Sequence, residues 1–193
     1  MAIQLNKGQR IDLTKDTNLE KVRIGLGWET QQYHGSHDFD LDASAFLVNK
    51  SGRVQPDTNF VFYNNPTSAS GSVTHTGDQR TGGSSSSIEE EILVDFSKMS
   101  HDTDKVAITV TIHDAENRNQ NFGQVSNAFV VLINDETGEE ILRFDLTENS
   151  ATLTAVTFCE LYKHGEDWKF NAVGAGFDGG LSDLCRHYGL DVG

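Results

Sequence analysis

The chain has 193 residues and sets 29 Asp and Glu against 15 Lys and Arg, a formal net charge of −14. Nucleic acid and anionic bilayers are themselves polyanions, so direct binding to either is excluded unless a cation bridges the charges. The length suits one domain over 1–193 that buries about 70% of its unfolded surface, and no apolar run approaches the ~20 residues of a membrane-spanning helix.

Met1-Ala2-Ile3-Gln4 does not read as a secretory signal, and Cys159 and Cys185 belong to no C-x-x-C motif. Free thiols in a reducing cytoplasm are the expectation. The first strand-like run covers 21–28. Next comes the most informative stretch, Asp38-Phe39-Asp40-Leu41-Asp42-Ala43-Ser44-Ala45-Phe46, inside a strand expected over 40–48. Alternate strand residues face opposite sides. Asp38, Asp40 and Asp42 therefore share one face, and Phe39, Leu41 and Ala43 the other. Three carboxylates at this spacing repel unless a cation lies among them, and Ca²⁺ takes six to eight oxygen ligands. The competing reading is a solvated acidic strand edge. An EF-hand is excluded, because the position of its required Gly holds Ala43 and that of its closing Glu holds Asn49.

A strand is expected over 60–63, followed by a long loop over 64–87 that contains Asn64, Asn65, Gly77, Asp78 and the run Ser84-Ser85-Ser86-Ser87. Amide, carboxylate and backbone oxygens among glycines suit an irregular calcium shell. Glu89-Glu90-Glu91 opens the next strand, over 91–96, with Glu90 on the face opposite Glu89 and Glu91. A solvated charge run is the ordinary reading of such a triplet. It loses weight where a second acidic segment is needed to complete a shell begun at Asp38.

Further strands are expected over 106–113, 128–133 and 140–146, the last two joined by Asp135-Glu136-Thr137-Gly138. A second loop spans 114–126. His113-Asp114-Ala115-Glu116 reads either as an acid–base group, with Asp114 near a metal, or as a hydrogen-bonded His at a strand end. A final hairpin, 155–162 with 168–173, turns at His164-Gly165-Glu166-Asp167. Leu181, Leu184, Cys185 and Tyr188 form one stripe of the single helix expected, over 181–188. Gly174-Ala175-Gly176-Phe177-Asp178-Gly179 matches a dinucleotide fingerprint, but the 14 residues after it cannot supply the remaining βαβ unit. No nucleophile elbow, zincin helix or phosphate loop occurs. Many short strands separated by turn signals point to an all-β fold: a sandwich of two mostly antiparallel sheets with long acidic loops and a short C-terminal helix.

Taken together, Leu5-Asn6-Lys7-Gly8, Ile24-Gly25-Leu26-Gly27-Trp28, the acidic strand, Phe62-Tyr63-Asn64-Asn65 and the 75–82 run resemble the TerD family of bacterial tellurite-resistance and general stress proteins. So do Thr111-Ile112-His113-Asp114-Ala115, Phe122-Gly123-Gln124-Val125-Ser126 and Glu160-Leu161-Tyr162 followed by Trp168-Lys169-Phe170. The resemblance implies a calcium-binding sandwich with two ions, held by the Asp-x-Asp-x-Asp segment and the Gly-Asp loop. It also implies a cytoplasmic stress-response system whose proteins act in complexes, some near the membrane.

One departure stands out. Family members often carry an acidic run such as G-D-G-D-D-E after R-T-G, where this chain has Gly83 to Ile88 with four serines, and only Glu89 and Glu90 keep the acidic ending. The expectation is one firm Ca²⁺ site on Asp38, Asp40, Asp42 and Asp78 and a second, weaker one, in a non-enzymatic module that binds other proteins of the stress response. The rival readings are a sandwich that reaches phospholipid through its calcium and a metal-dependent hydrolase using the same acidic surface.

Overall fold

The computed structural model describes residues 2–30, 40–78, 88–146 and 152–191. In chain order its strands are β1 (Ile3–Leu5), β2 (Arg10–Asp12), β3 (Lys21–Thr30), β4 (Leu41–Val48), β5 (Phe60–Val61) and β6 (Val73–Asp78). They continue as β7 (Glu90–Asp95), β8 (Lys105–Ile112), β9 (Val125–Asn134), β10 (Glu140–Asp145), β11 (Ala155–His164) and β12 (Asp167–Phe177). Two helices, α1 (Ala115–Arg118) and α2 (Gly180–His187), complete the described elements.

The strands form two six-stranded sheets, the first in the order β1-β10-β9-β3-β7-β6 and the second β2-β12-β11-β8-β4-β5. Every pairing is antiparallel except β1 on β10. The sheets enclose one interior, in which Ile24, Leu26, Ile92, Val106, Ile108, Phe158 and Phe170 are all fully buried. Alternation places them there: in β7, Glu90, Ile92 and Val94 are buried while Glu91, Leu93 and Asp95 are half-exposed. β4 is buried on both sides because α2 covers the outer face of the second sheet. Leu184, Cys185 and Tyr188 of its apolar stripe pack on Phe46, Val48, Val54 and Ala107. Phe46 lies between stacked rings, with Phe60 and Tyr188 each 4.6 Å away.

The strands expected from the sequence are present, and the differences have local causes. β1 and β2 were not expected at all. They are three residues each and earn their place by pairing on β10 and β12, so one turn of chain closes an edge of both sheets. The stretch 64–87, expected to be structureless, contains β6, whose outer edge is covered by a bridge between Thr67 and Thr74. Likewise 114–126 holds α1 and a short turn at Phe122–Gln124, which Asn121 and Gln124 cap reciprocally. β12 runs past residue 173 because Gly174, at φ +64°, absorbs an extra residue opposite β11 as a bulge. The final hairpin is tight: His164 pairs with Asp167 around Gly165, whose φ of +66° is what a two-residue turn asks of its first position.

Candidate functional site: the acidic pole

Antiparallel pairing sends strand ends to two poles. At one, β3 ends at Thr30 opposite Val125 of β9, β4 begins at Leu41 opposite Ile112 of β8, and β11 begins at Ala155 opposite Phe177 of β12. At this end the chain leaves one sheet and enters the other between β3 and β4, between β8 and β9 and between β10 and β11, and here too β6 ends at Asp78 and β7 begins at Glu90. The register alone therefore brings the acidic segments of the sequence to one pole, although 36 residues separate Asp42 from Asp78.

On β4, Leu41 and Ala43 join the interior while Asp42 faces the outer side of the second sheet, as alternation requires. Asp40 is exposed just before the strand, and its carbonyl accepts from the His113 N–H at 2.7 Å, so the ladder continues beyond Leu41. Asp42 lines a groove of about 550 Å³ together with Tyr63, His113, Asp114, Glu116 and Asp178. Asp114 takes a left-handed φ of 52° at the start of α1. Its carboxylate accepts from Asn117 Nδ2 at 2.6 Å and lies 3.8 Å from Arg118 Nε. His113 is exposed immediately after β8, with its backbone N–H as the group bonded to Asp40.

The remaining expected ligands divide. Asp38 and the serine run lie outside the described residues. Gly77 and Asp78 end β6, with Asp78 opposite Glu90 in the ladder. Asn64 is exposed in the turn closed by the Phe62–Asn65 bridge. Asn65 helps to build that turn, its Nδ2 donating to the carbonyls of Thr58 at 3.0 Å and Phe60 at 2.8 Å. Glu89 is half-buried at the entrance of β7.

Glu90 points between the sheets, where its Oε2 is 2.8 Å from His75 Nε2 and both side chains are almost fully buried. The backbone of the second sheet thus stands between Glu90 and Asp42, which faces the other way. Among the described residues no three His, Cys, Asp or Glu side chains come together as a metal cage. Sequence reasoning passed over the His75 pair, although alternation through Val73 and Ile92 was the signal for it. It also passed over Asp178 as a pole residue, and over Glu29, which accepts from Asn127 Nδ2 at 2.6 Å.

The thiols are remote from this chemistry. Cys159 is fully buried in the interior, where burial first and the Glu160 charge second raise its pKa well above the usual value. Burial of the α2 stripe against the second sheet raises Cys185 as well. A nucleophilic thiolate needs the opposite environment, exposed and electropositive.

Residues 1–188 match the TerD domain. The chain belongs to the TerD family. Over the full length of both chains it is 61% identical to the uncharacterised protein YceE of Bacillus subtilis and 48% identical to general stress protein 16U of the same organism. Identity to the tellurium resistance protein TerD of Serratia marcescens is 47%, again over the whole of both. A solved TerD homologue from Streptomyces coelicolor shares the fold at 24% identity with a TM-score of 0.67, covering 86% of this chain and 95% of that one. No helix among the described residues is long and apolar enough to cross a membrane. The TerD assignment sets the protein among the tellurite-resistance and stress-response proteins.

Proposed function

We propose that this TerD protein is a cytoplasmic calcium-binding module that acts without catalysis, presenting its acidic pole to other proteins of the stress response. The observation that supports the reading is that Asp40, Asp42, the end of β6 at Asp78 and the entrance to β7 at Glu89 all lie at one pole of the two sheets. The donors are carboxylate, amide and carbonyl oxygens, the set that suits a hard dication. Asp40 and Asp42, with the preceding Asp38, are the residues to hold the firm ion; Asp78 and Glu89 supply oxygens from the neighbouring edge. Glu90 is a weaker candidate than the sequence suggested, because a buried carboxylate already beside His75 would have to leave it.

Bound Ca²⁺ neutralises the row of like charges and ties together loops that belong to different sheets. That gives one surface of fixed shape for a protein partner. The two thiols favour no direct chemistry on a tellurium oxyanion, since both are buried and held protonated.

Calorimetric titration of chelator-stripped protein with calcium, and with magnesium as control, tests the reading. Calcium binding that survives millimolar magnesium is the expected result. Absence of binding overturns it. A stoichiometry of two equally tight ions would instead refute the weakening ascribed to the serine run.

A further inference from the structure

Gly25 lies in the middle of β3 with no positive φ, so its backbone would accept any residue. Glycine weakens a strand interior, and its presence there often marks a close approach from above. Here the approach is by Ile88. A Cβ on Gly25 would meet Ile88 Cδ1 at 2.7 Å, Ile88 Cγ1 at 3.0 Å and Val131 Cγ2 at 3.0 Å. Val22, Ile24 and Leu26 face the interior, so Gly25 opens on the outer face of the first sheet. There Ile88 packs with Phe129, Val131 and Ile133.

Two features of Ile88 are abnormal for a residue entering β7. Alternation from the inward-facing Glu90 and Ile92 would put residue 88 inside, whereas it lies outside. Ladder register sets Gly25 opposite Glu91, so an extended chain would carry Ile88 about 10 Å beyond Gly25. The entrance to β7 therefore departs from regular extension by one residue, Leu26 meeting both Glu89 and Glu90, and the Ile88 side chain reaches back across the outer face to Gly25. The Glu89 N–H, bonded to the Leu26 carbonyl at 2.8 Å, marks where the chain turns in.

We propose that Ile88 and Gly25 form a latch on the outer face of the first sheet that sets the direction in which the chain enters β7, and so positions Glu89 and Glu90 at the acidic pole. Ile88 fills the notch that Gly25 leaves, the chain enters β7 from the outer face, and Glu90 is then turned inward. The consequence for cation affinity rests on the calcium reading above; the positional consequence does not.

Amide exchange of Glu89 in chelator-treated protein tests the latch, using Gly25→Ala, Ile88→Ala and the double variant. Each single variant is expected to speed Glu89 exchange by about tenfold or more, while amides of the β8 core stay slow, as local rather than global opening requires. The double variant should be no faster than the singles, since both break one contact. Should Gly25→Ala not fold, Ile88→Ala and Ile88→Val carry the test, because they only remove atoms. Unchanged Glu89 exchange in Ile88→Ala, or effects that multiply in the double variant, would overturn the latch. Calcium titration of the same proteins separates the two ideas. Wild type that binds no calcium ends the calcium reading and leaves the exchange result standing. Wild type and Ile88→Ala that bind equally, with Glu89 exchange faster only in the variant, would remove the latch from control of affinity.

Discussion

Between the sheets, Leu26, Ile92, Val106, Phe158 and Phe170 are fully buried against one another and depend on nothing outside the chain. At the pole a few residues away, Asp40, Asp42, Asp114, Glu116 and Asp178 crowd charges of one sign around the loop crossings. The interior is held by apolar burial, which is the same in any dilute buffer. On the calcium reading proposed above, the energy of the pole depends on what cation and what pH the solution supplies. Apolar burial and clustered charge thus occupy adjoining parts of the same strands. β4 carries both, with Leu41, Ala43, Ala45 and Leu47 in the interior and Asp42 at the pole.

The comparison breaks most visibly if an interior change alters the pole. Phe170→Ala removes a fully buried ring at the β11–β12 pairing and should cost about 3–5 kcal/mol in urea unfolding. Calcium affinity of the folded variant should stay within about twofold of wild type, as for sites far apart.

Next in size is an alkaline effect. Burial, with a smaller contribution from Glu160 and opposed by the hydrogen bond to Thr157, pushes Tyr188 up to about 12. A raised pKa means that the folded state holds the proton more tightly. Its contribution is complete below the unfolded value near 10 and is lost as pH rises towards 12, to the extent of about 3 kcal/mol. Tyr188→Phe keeps the ring on Phe46 and should flatten that alkaline limb of the stability curve.

At the pole itself, calcium at a hundred times its Kd should stabilise the protein by about 2.7 kcal/mol, seen as a rise in Tm that chelator reverses. Asp40→Asn should lower calcium affinity and that rise together while leaving the Tm in chelator unchanged or higher, since one repelling charge is gone. Lower pH should diminish the calcium effect, because ligand carboxylates bind metal only when deprotonated. Unaltered calcium binding in Asp40→Asn would strike Asp40 from the ligands.

His75→Ala probes the boundary between the two regions. It removes a partner of buried Glu90 and should cost about 2 kcal/mol in unfolding measurements. The smallest effect belongs far from the pole. Gly138, at φ +74° in the β9–β10 turn, should cost about 1 kcal/mol as Gly138→Ala, the ordinary penalty for a left-handed alanine, with no change in calcium binding.

Much of the fold was legible in the sequence, because period-two alternation and turn residues act locally. The run Val106-Ala107-Ile108-Thr109-Val110-Thr111-Ile112 reads as a strand and is one, as β8. The stripe of Leu184, Cys185 and Tyr188 reads as a helix face and packs as one. The acidic row was legible for the same reason: Asp40 and Asp42 repeat every second residue, and Asp42 lies opposite the interior-facing Leu41 and Ala43. β1, β2 and β6 were not legible, since their pairing partners, rather than their own short sequences, make them strands.

The sequence by itself determined the family, the sandwich and the carboxylates that make this chain a candidate for calcium, all through patterns of neighbouring residues. Tertiary structure alone decided that Glu90 of β7 meets His75 of β6 between the sheets, and that Ile88 packs on the outer face over Gly25. Those outcomes depend on which strands lie side by side and in what register, a long-range choice that no local spacing encodes.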